Sequence, residues 1–192
     1  MNSKSRIAMV VGSLLLFCVF LFPIWRITLY APQYPDGLSM DIWVDKITDE
    51  DALKNINILN QYVGMQMIEP DSIPELTYFP YIIYALAALG LLAAFINKRK
   101  VYLFWTLIIV VLGILGMYDF YLWEYDYGHN LSDTAPIKVP GQAYQPPFIG
   151  GKWLLNFYAT SWPHWGALFF GMPMFLGAFA FWMKKGNSKK IN

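Results

Sequence analysis

The sequence predicts an all-α membrane protein: a four-transmembrane-helix bundle carrying a small mixed α/β extracytoplasmic cap. Three observations point to that class. Of the 192 residues, 57% are hydrophobic and only 14% charged, against about 45–50% apolar and about 25% charged in ordinary soluble domains, so a soluble globule of this make-up would run short of polar surface. The apolar residues gather in four runs near the roughly 20-residue length that crosses a bilayer. The charges, although they sum to only +1, are segregated along the chain. The length leaves room for one domain at the usual size of roughly 100–200 residues, which excludes a large multidomain enzyme.

Residues 1–30 comprise a basic N-terminus and the first span, running from Ile7 through Leu14-Leu15-Leu16-Phe17 and Phe22-Pro23-Ile24-Trp25 to about Tyr30. A cleaved signal peptide has a shorter apolar stretch and a small-residue cleavage site. Neither fits here, so the run reads as a retained helix, kinked or ended by Pro23. Residues 31–77 form an acidic outer segment with the marks of folded structure. Leu38, Met40, Ile42 and Val44 alternate with Ser39, Asp41, Trp43 and Asp45, the period-two pattern of a half-covered strand. Thr48-Asp49-Glu50-Asp51 resembles a helix N-cap with acids in the first turn; Leu53, Ile56, Leu59 and Val63 then share one helical face, and Gly64 suits the stop.

Residues 78–118 hold the second and third spans. Pro80 suits the first turn of the second, Asn97-Lys98-Arg99-Lys100 closes it after Ile96, and the third follows at once from Val101 to about Tyr118. The two must be antiparallel neighbours. Residues 119–164, rich in Pro, Gly and Tyr, read as an ordered loop packed with the acidic segment over the helix ends. Residues 165–192 hold the fourth span, from about Trp165 to Met183, and a basic C-terminus.

Orientation follows from lysine and arginine, which are in excess on short cytoplasmic segments. Lys4 and Arg6, then Lys98, Arg99 and Lys100, then Lys184, Lys185, Lys189 and Lys190 flank the spans on one side, whereas all 13 acids fall between Asp36 and Glu75 or between Asp119 and Asp133. The expectation is a lipid-embedded, multi-pass protein of a bacterial inner membrane with both termini cytoplasmic. An acidic outer face and short cytoplasmic ends exclude nucleic acid as a partner.

Cofactor chemistry is narrowed by what is missing. The two histidines, His129 and His164, lie outside the span interiors, which argues against a transmembrane bis-histidine haem. The single Cys18 supplies neither a Cys-x-x-Cys-His site nor an iron–sulfur cluster. No nucleophile elbow, phosphate loop or His-Glu-x-x-His helix occurs, and the chain reads as non-enzymatic. Methionine is more suggestive: Met65 and Met67 flank Gln66 on the outer side, and Met172 and Met174 flank Pro173 in the fourth span. Thioether sulfur is a soft donor suited to Cu(I), with His129 and His164 as co-ligands. Asp119, among Tyr118, Phe120 and Tyr121 at the outer boundary, can attract a cation or accept a proton. Each residue also has an ordinary role: methionine fills gaps in apolar cores, histidine accepts structural hydrogen bonds, and aromatic residues settle at headgroup depth. Three functions stay open: transient Cu(I) capture, docking of another membrane or periplasmic protein without metal, and quinone binding near Asp119 and Glu124, the last lacking an evident redox centre.

Four stretches carry a family resemblance: Tyr34-Pro35-Asp36-Gly37-Leu38, Ile56 to Met65 (Ile-Asn-Ile-Leu-Asn-Gln-Tyr-Val-Gly-Met), Asp126-Tyr127-Gly128-His129-Asn130-Leu131, and Tyr144-Gln145-Pro146-Pro147-Phe148-Ile149-Gly150. Together they resemble the NosB-like four-span bacterial membrane proteins associated with nitrous oxide reductase gene clusters. The resemblance implies a role in assembling or supplying that copper enzyme, with His129 and Met65 as the matching residues. The family pattern in the second stretch reads Leu-Asn-His-Tyr-Ile-Gly-Met, so Gln61 stands in place of a histidine, which weakens a metal site at that position.

Overall fold

In the computed structural model, which describes residues 3–48 and 50–188, the first apolar run divides in two. Helix α1 covers Ser3–Leu15, a 3-10 turn covers Leu16–Phe20, and Trp25–Ala31 is a strand, β1. Proline lacks the amide proton a helix needs, and past Pro23 the burial pattern changes. Trp25, Ile27 and Ala31 are buried, while Arg26 is half-buried and Tyr30 exposed, as on a strand with one covered face.

Strand β2 (Tyr34–Ile42) pairs antiparallel with β1, placing Ile27 opposite Met40 and Thr28 opposite Ser39. The other side of β1 pairs with β4 (Phe157–Pro163), Thr28 opposite Thr160, and β4 pairs in turn with β3 (Gly150–Leu154). The result is a four-stranded antiparallel sheet in the order β2-β1-β4-β3. This corrects the all-α class: five α-helices and a sheet are present among the described residues. Two expectations fall with it. The first span does not continue as helix to Tyr30, and the stretch expected to be loop through His164 contains a β-hairpin.

Helix α2 is Glu50–Val63, with Leu53, Ile56, Leu59 and Val63 buried. Of the expected cap residues, the Thr48 amide donates to the Asp41 carbonyl, and Asp49 lies outside the described residues. Helix α3 is Glu75–Ile96 and α4 is Arg99–His129, running eleven residues past the expected end at Tyr118; α5 is Trp165–Ser188. By length and composition, four helical segments are apolar enough to cross a bilayer: Ser3–Phe20, Glu75–Ile96, Arg99–His129 and Trp165–Lys184.

These helices form a bundle in which α1 and α4 each pack against both α3 and α5. Met9, Leu16, Leu86, Tyr102, Trp105 and Ile109 belong to its core. The Trp105 ring is keyed between Gly90 of α3 and Gly177 of α5, where added Cβ atoms would lie 2.9 and 3.1 Å from ring carbons. Its indole N–H donates to the Leu86 carbonyl at 2.9 Å. Basic residues close one end of the bundle: Arg6 donates to the Ala94 and Phe95 carbonyls of α3, and Lys184 and the Tyr102 hydroxyl both donate to Asn97 Oδ1. Lys189 and Lys190 lie outside the described residues.

The sheet, α2 and the far end of α4 make a second unit at the other end, here called the cap. Trp25, Ile27, Met40, Ile47, Leu53, Ile56 and Ile68 form its core, with Phe120, Trp123 and Tyr127 packed against them. On the sheet's other face Arg26 holds Asp41 through two hydrogen bonds of 2.6 and 2.7 Å.

Candidate functional site

Helix α4 has 31 residues, a length of about 46 Å at 1.5 Å per residue, whereas a bilayer crossing takes about 20 residues. Its surplus, residues 119–129, stands beyond the span-length part and lies beneath the sheet. There, Phe120, Trp123, Glu124 and Tyr127 recur at the spacing of one helical face, and three of the four are aromatic. The fourth is a carboxylic acid.

That acid opens onto a cavity of ≈ 70 Å³ inside the cap. Ile27, Leu29, Leu38 and Met40 of the sheet, Ile56, Leu59, Asn60 and Val63 of α2, and Met65 and Ile68 beyond it line the cavity, together with Trp123, Glu124 and Tyr127 of α4, Tyr144 and Pro146 of the long loop, and Leu154 and Phe157 of the hairpin. Glu124 is 1% exposed, and neither of its carboxyl oxygens has a hydrogen-bond partner. Tyr144 is 4% exposed, and its hydroxyl is likewise unpartnered. Apolar surroundings disfavour a charge, and burial pushes the Glu124 carboxyl up to about 8. It is therefore mostly protonated at neutral pH.

Glycines place the remaining walls. Gly128 follows Glu124 by one helical turn, and the Tyr144 amide donates to its carbonyl at 2.9 Å. A Cβ on Gly128 would overlap the Gln145 backbone, so this close approach requires glycine. At the end of α2, Gly64 takes φ +84°, the left-handed conformation that terminates helices, and the next amide, of Met65, donates to the Asn60 carbonyl at 2.9 Å. Asn57 then clamps Ile68 from both sides: its Nδ2 donates to the Ile68 carbonyl and its Oδ1 accepts from the Ile68 amide.

Of the residues singled out from the sequence, Met65 lines this cavity. Met67 is exposed, its sulfur accepting a hydrogen bond from Gln61 at 3.0 Å. His129, exposed at the end of α4, stacks on Tyr125 with ring centroids 3.9 Å apart, its Nδ1 lying 2.9 Å from the Tyr125 carbonyl. His164 joins β4 to α5 and its Nδ1 is buried without a partner; its amide donates to the Ile24 carbonyl. Met172 is exposed on α5, Met174 packs against the bundle core, and Asp119 is exposed. Neither histidine is at the cavity, and among the described residues no three His, Cys, Asp or Glu side chains group as a metal site. Sequence reasoning used Met40 only in the strand alternation and Tyr144 only in the family resemblance, and placed Glu124 beside Asp119 at the outer boundary, where it was weighed for quinone binding. Its position on an otherwise aromatic helix face was the available signal.

Comparison with protein-family models, curated proteins and solved structures finds no match in any of the three.

Proposed function

We propose that this protein is a non-catalytic accessory protein of a bacterial inner membrane that handles Cu(I) on the extracytoplasmic side for a copper-dependent respiratory enzyme such as nitrous oxide reductase. One observation carries the reading. The four stretches that resemble NosB-like proteins are dispersed from Tyr34 to Gly150, yet each supplies a wall of the same cavity: Leu38 from the first, Ile56, Leu59, Asn60, Val63 and Met65 from the second, Tyr127 from the third, and Tyr144 and Pro146 from the fourth. The thioethers of Met40 and Met65 make that cavity congenial to a soft ion. Its small volume favours an ion over a quinone ring, since ordinary small-molecule pockets run to about 300 Å³ or more. Four bilayer-length helices with basic residues gathered at one end support the membrane placement.

Anaerobic titration of the purified full chain against a chromogenic Cu(I) chelator tests the reading: competition for the ion is expected, and its absence overturns the proposal. A docking role for another membrane or periplasmic protein draws support from a separate feature, the exposed Trp153 and Trp162 on the sheet. It predicts a partner whose co-purification is lost in Trp153→Ala and is indifferent to copper.

A further inference from the structure

We infer that the cap cavity is itself a Cu(I) site, with the thioether sulfurs of Met40 and Met65 and the carboxylate of Glu124 as the donors. The inference rests on the Cu(I)-handling reading and gives it a location and a ligand set.

The donors on the cavity wall select among cations. Calcium takes six to eight oxygens and magnesium a near-octahedral set rich in water, whereas this wall offers one carboxylate, the phenols of Tyr127 and Tyr144 and the Asn60 amide amid apolar side chains. Zinc and Cu(II) favour imidazole or thiolate, and neither lines the cavity. Two neutral thioethers remain, and these suit Cu(I). A monovalent ion taken out of water also needs a compensating charge. Glu124 supplies one negative charge, and both of its oxygens are free of protein hydrogen bonds. On loading, Cu(I) forms bonds to two sulfurs and one carboxylate oxygen, the carboxyl proton leaves to water, and copper stays at +1.

Local structure fixes the backbone at both methionines independently of metal. Met40 is fixed in β2 opposite Ile27, and Met65 by the left-handed turn at Gly64. Loading therefore calls for little backbone rearrangement, which favours affinity because ordering costs are already met.

The test uses the full chain, metal-free, titrated anaerobically with Cu(I) against a chelator. The unaltered protein is expected to bind one Cu(I), and Met40→Leu, Met65→Leu and Glu124→Gln are each expected to weaken binding by about tenfold or more. Leucine keeps the apolar volume. Met117→Leu, a methionine beside the cap core and off the cavity wall, is expected to bind as the unaltered protein does. X-ray absorption of the loaded, unaltered protein is expected to show two sulfurs and one light atom around copper, which decides the matter should a variant fail to fold. A shell with any other sulfur count, or full affinity in the Met40, Met65 and Glu124 variants, overturns this site and leaves Cu(I) handling standing. No Cu(I) binding by the unaltered protein overturns both.

Discussion

The core of the helical bundle pairs its buried hydroxyl and indole groups, whereas the core of the cap combines paired polar groups, such as Trp25 with Ser161, with two that have no partner. In the bundle, Ser13 donates to the Met9 carbonyl, Thr106 to that of Tyr102, and the Trp105 indole to that of Leu86. Glycines at 90 and 177 let the large ring seat without a gap. In the cap, the Glu124 carboxyl and the Tyr144 hydroxyl are buried at one cavity with no hydrogen-bond partner from the protein. Buried polar atoms nearly always find partners, so these two groups set the cap core apart from the bundle core.

The bundle half of this comparison breaks most readily at Trp105. Trp105→Ala empties the notch between Gly90 and Gly177 and is expected to cost about 3–5 kcal/mol, read as a lower unfolding temperature in detergent. Metal-free protein sharpens the cap half. The folded-state value of about 8 for Glu124 lies above its ordinary 4.5, so the folded state holds that proton more tightly than the unfolded chain. Its stabilisation is complete below pH of about 4.5 and is lost as the pH rises through about 8, amounting to a few kcal/mol (roughly 1.4 kcal/mol per pK unit). Denaturant titrations from pH 5 to 9 are expected to show this decline in the unaltered protein. They should show its loss in Glu124→Gln, which becomes the more stable of the two at pH 9.

Gly128→Ala probes the seam where the long loop meets α4. Displacing the Gln145 backbone is expected to cost about 1–3 kcal/mol and to raise amide exchange at Tyr144, whose amide donates to the Gly128 carbonyl. The smallest effect belongs to the solvent side of the sheet. Arg26→Ala removes a partly exposed ion pair with Asp41 and is expected to cost about 1 kcal/mol or less by denaturant unfolding.

The long apolar helices, α2 with its buried Leu53, Ile56, Leu59 and Val63, and the alternation within β2 were all legible because each has a clean local period. β1 was hidden because it follows α1 with no polar break: Ile24 to Tyr30 extends the apolar run, and Pro23 was read as a kink within a helix when it is a border. The β3–β4 hairpin was hidden for a different reason. Two-residue hairpin turns usually announce themselves with glycine or asparagine at their left-handed positions. Here the left-handed φ of +55° falls on Leu155, a residue that gives no such signal, and the asparagine at 156 stands after it. Of the candidate site, Met65 was legible as a soft donor and Glu124 as a boundary acid. Met40 looked like any other strand-core residue, and the approach of Tyr144 to α4 depends on a contact between distant parts of the chain that no local pattern announces.

The two middle strands of the sheet come from opposite halves of the sequence: β1 follows α1 and its 3-10 turn, and β4 directly precedes α5. Their joint is laced by His164 donating to the Ile24 carbonyl and Gly166 to that of Pro23, each at 2.8 Å. On a growing polypeptide, β1 must therefore wait for almost the whole chain to be made before its second neighbour arrives, a delay typical of pairings between distant segments. Completion of the cap thus becomes a late checkpoint in biogenesis, reached only once the chain has been made through β4.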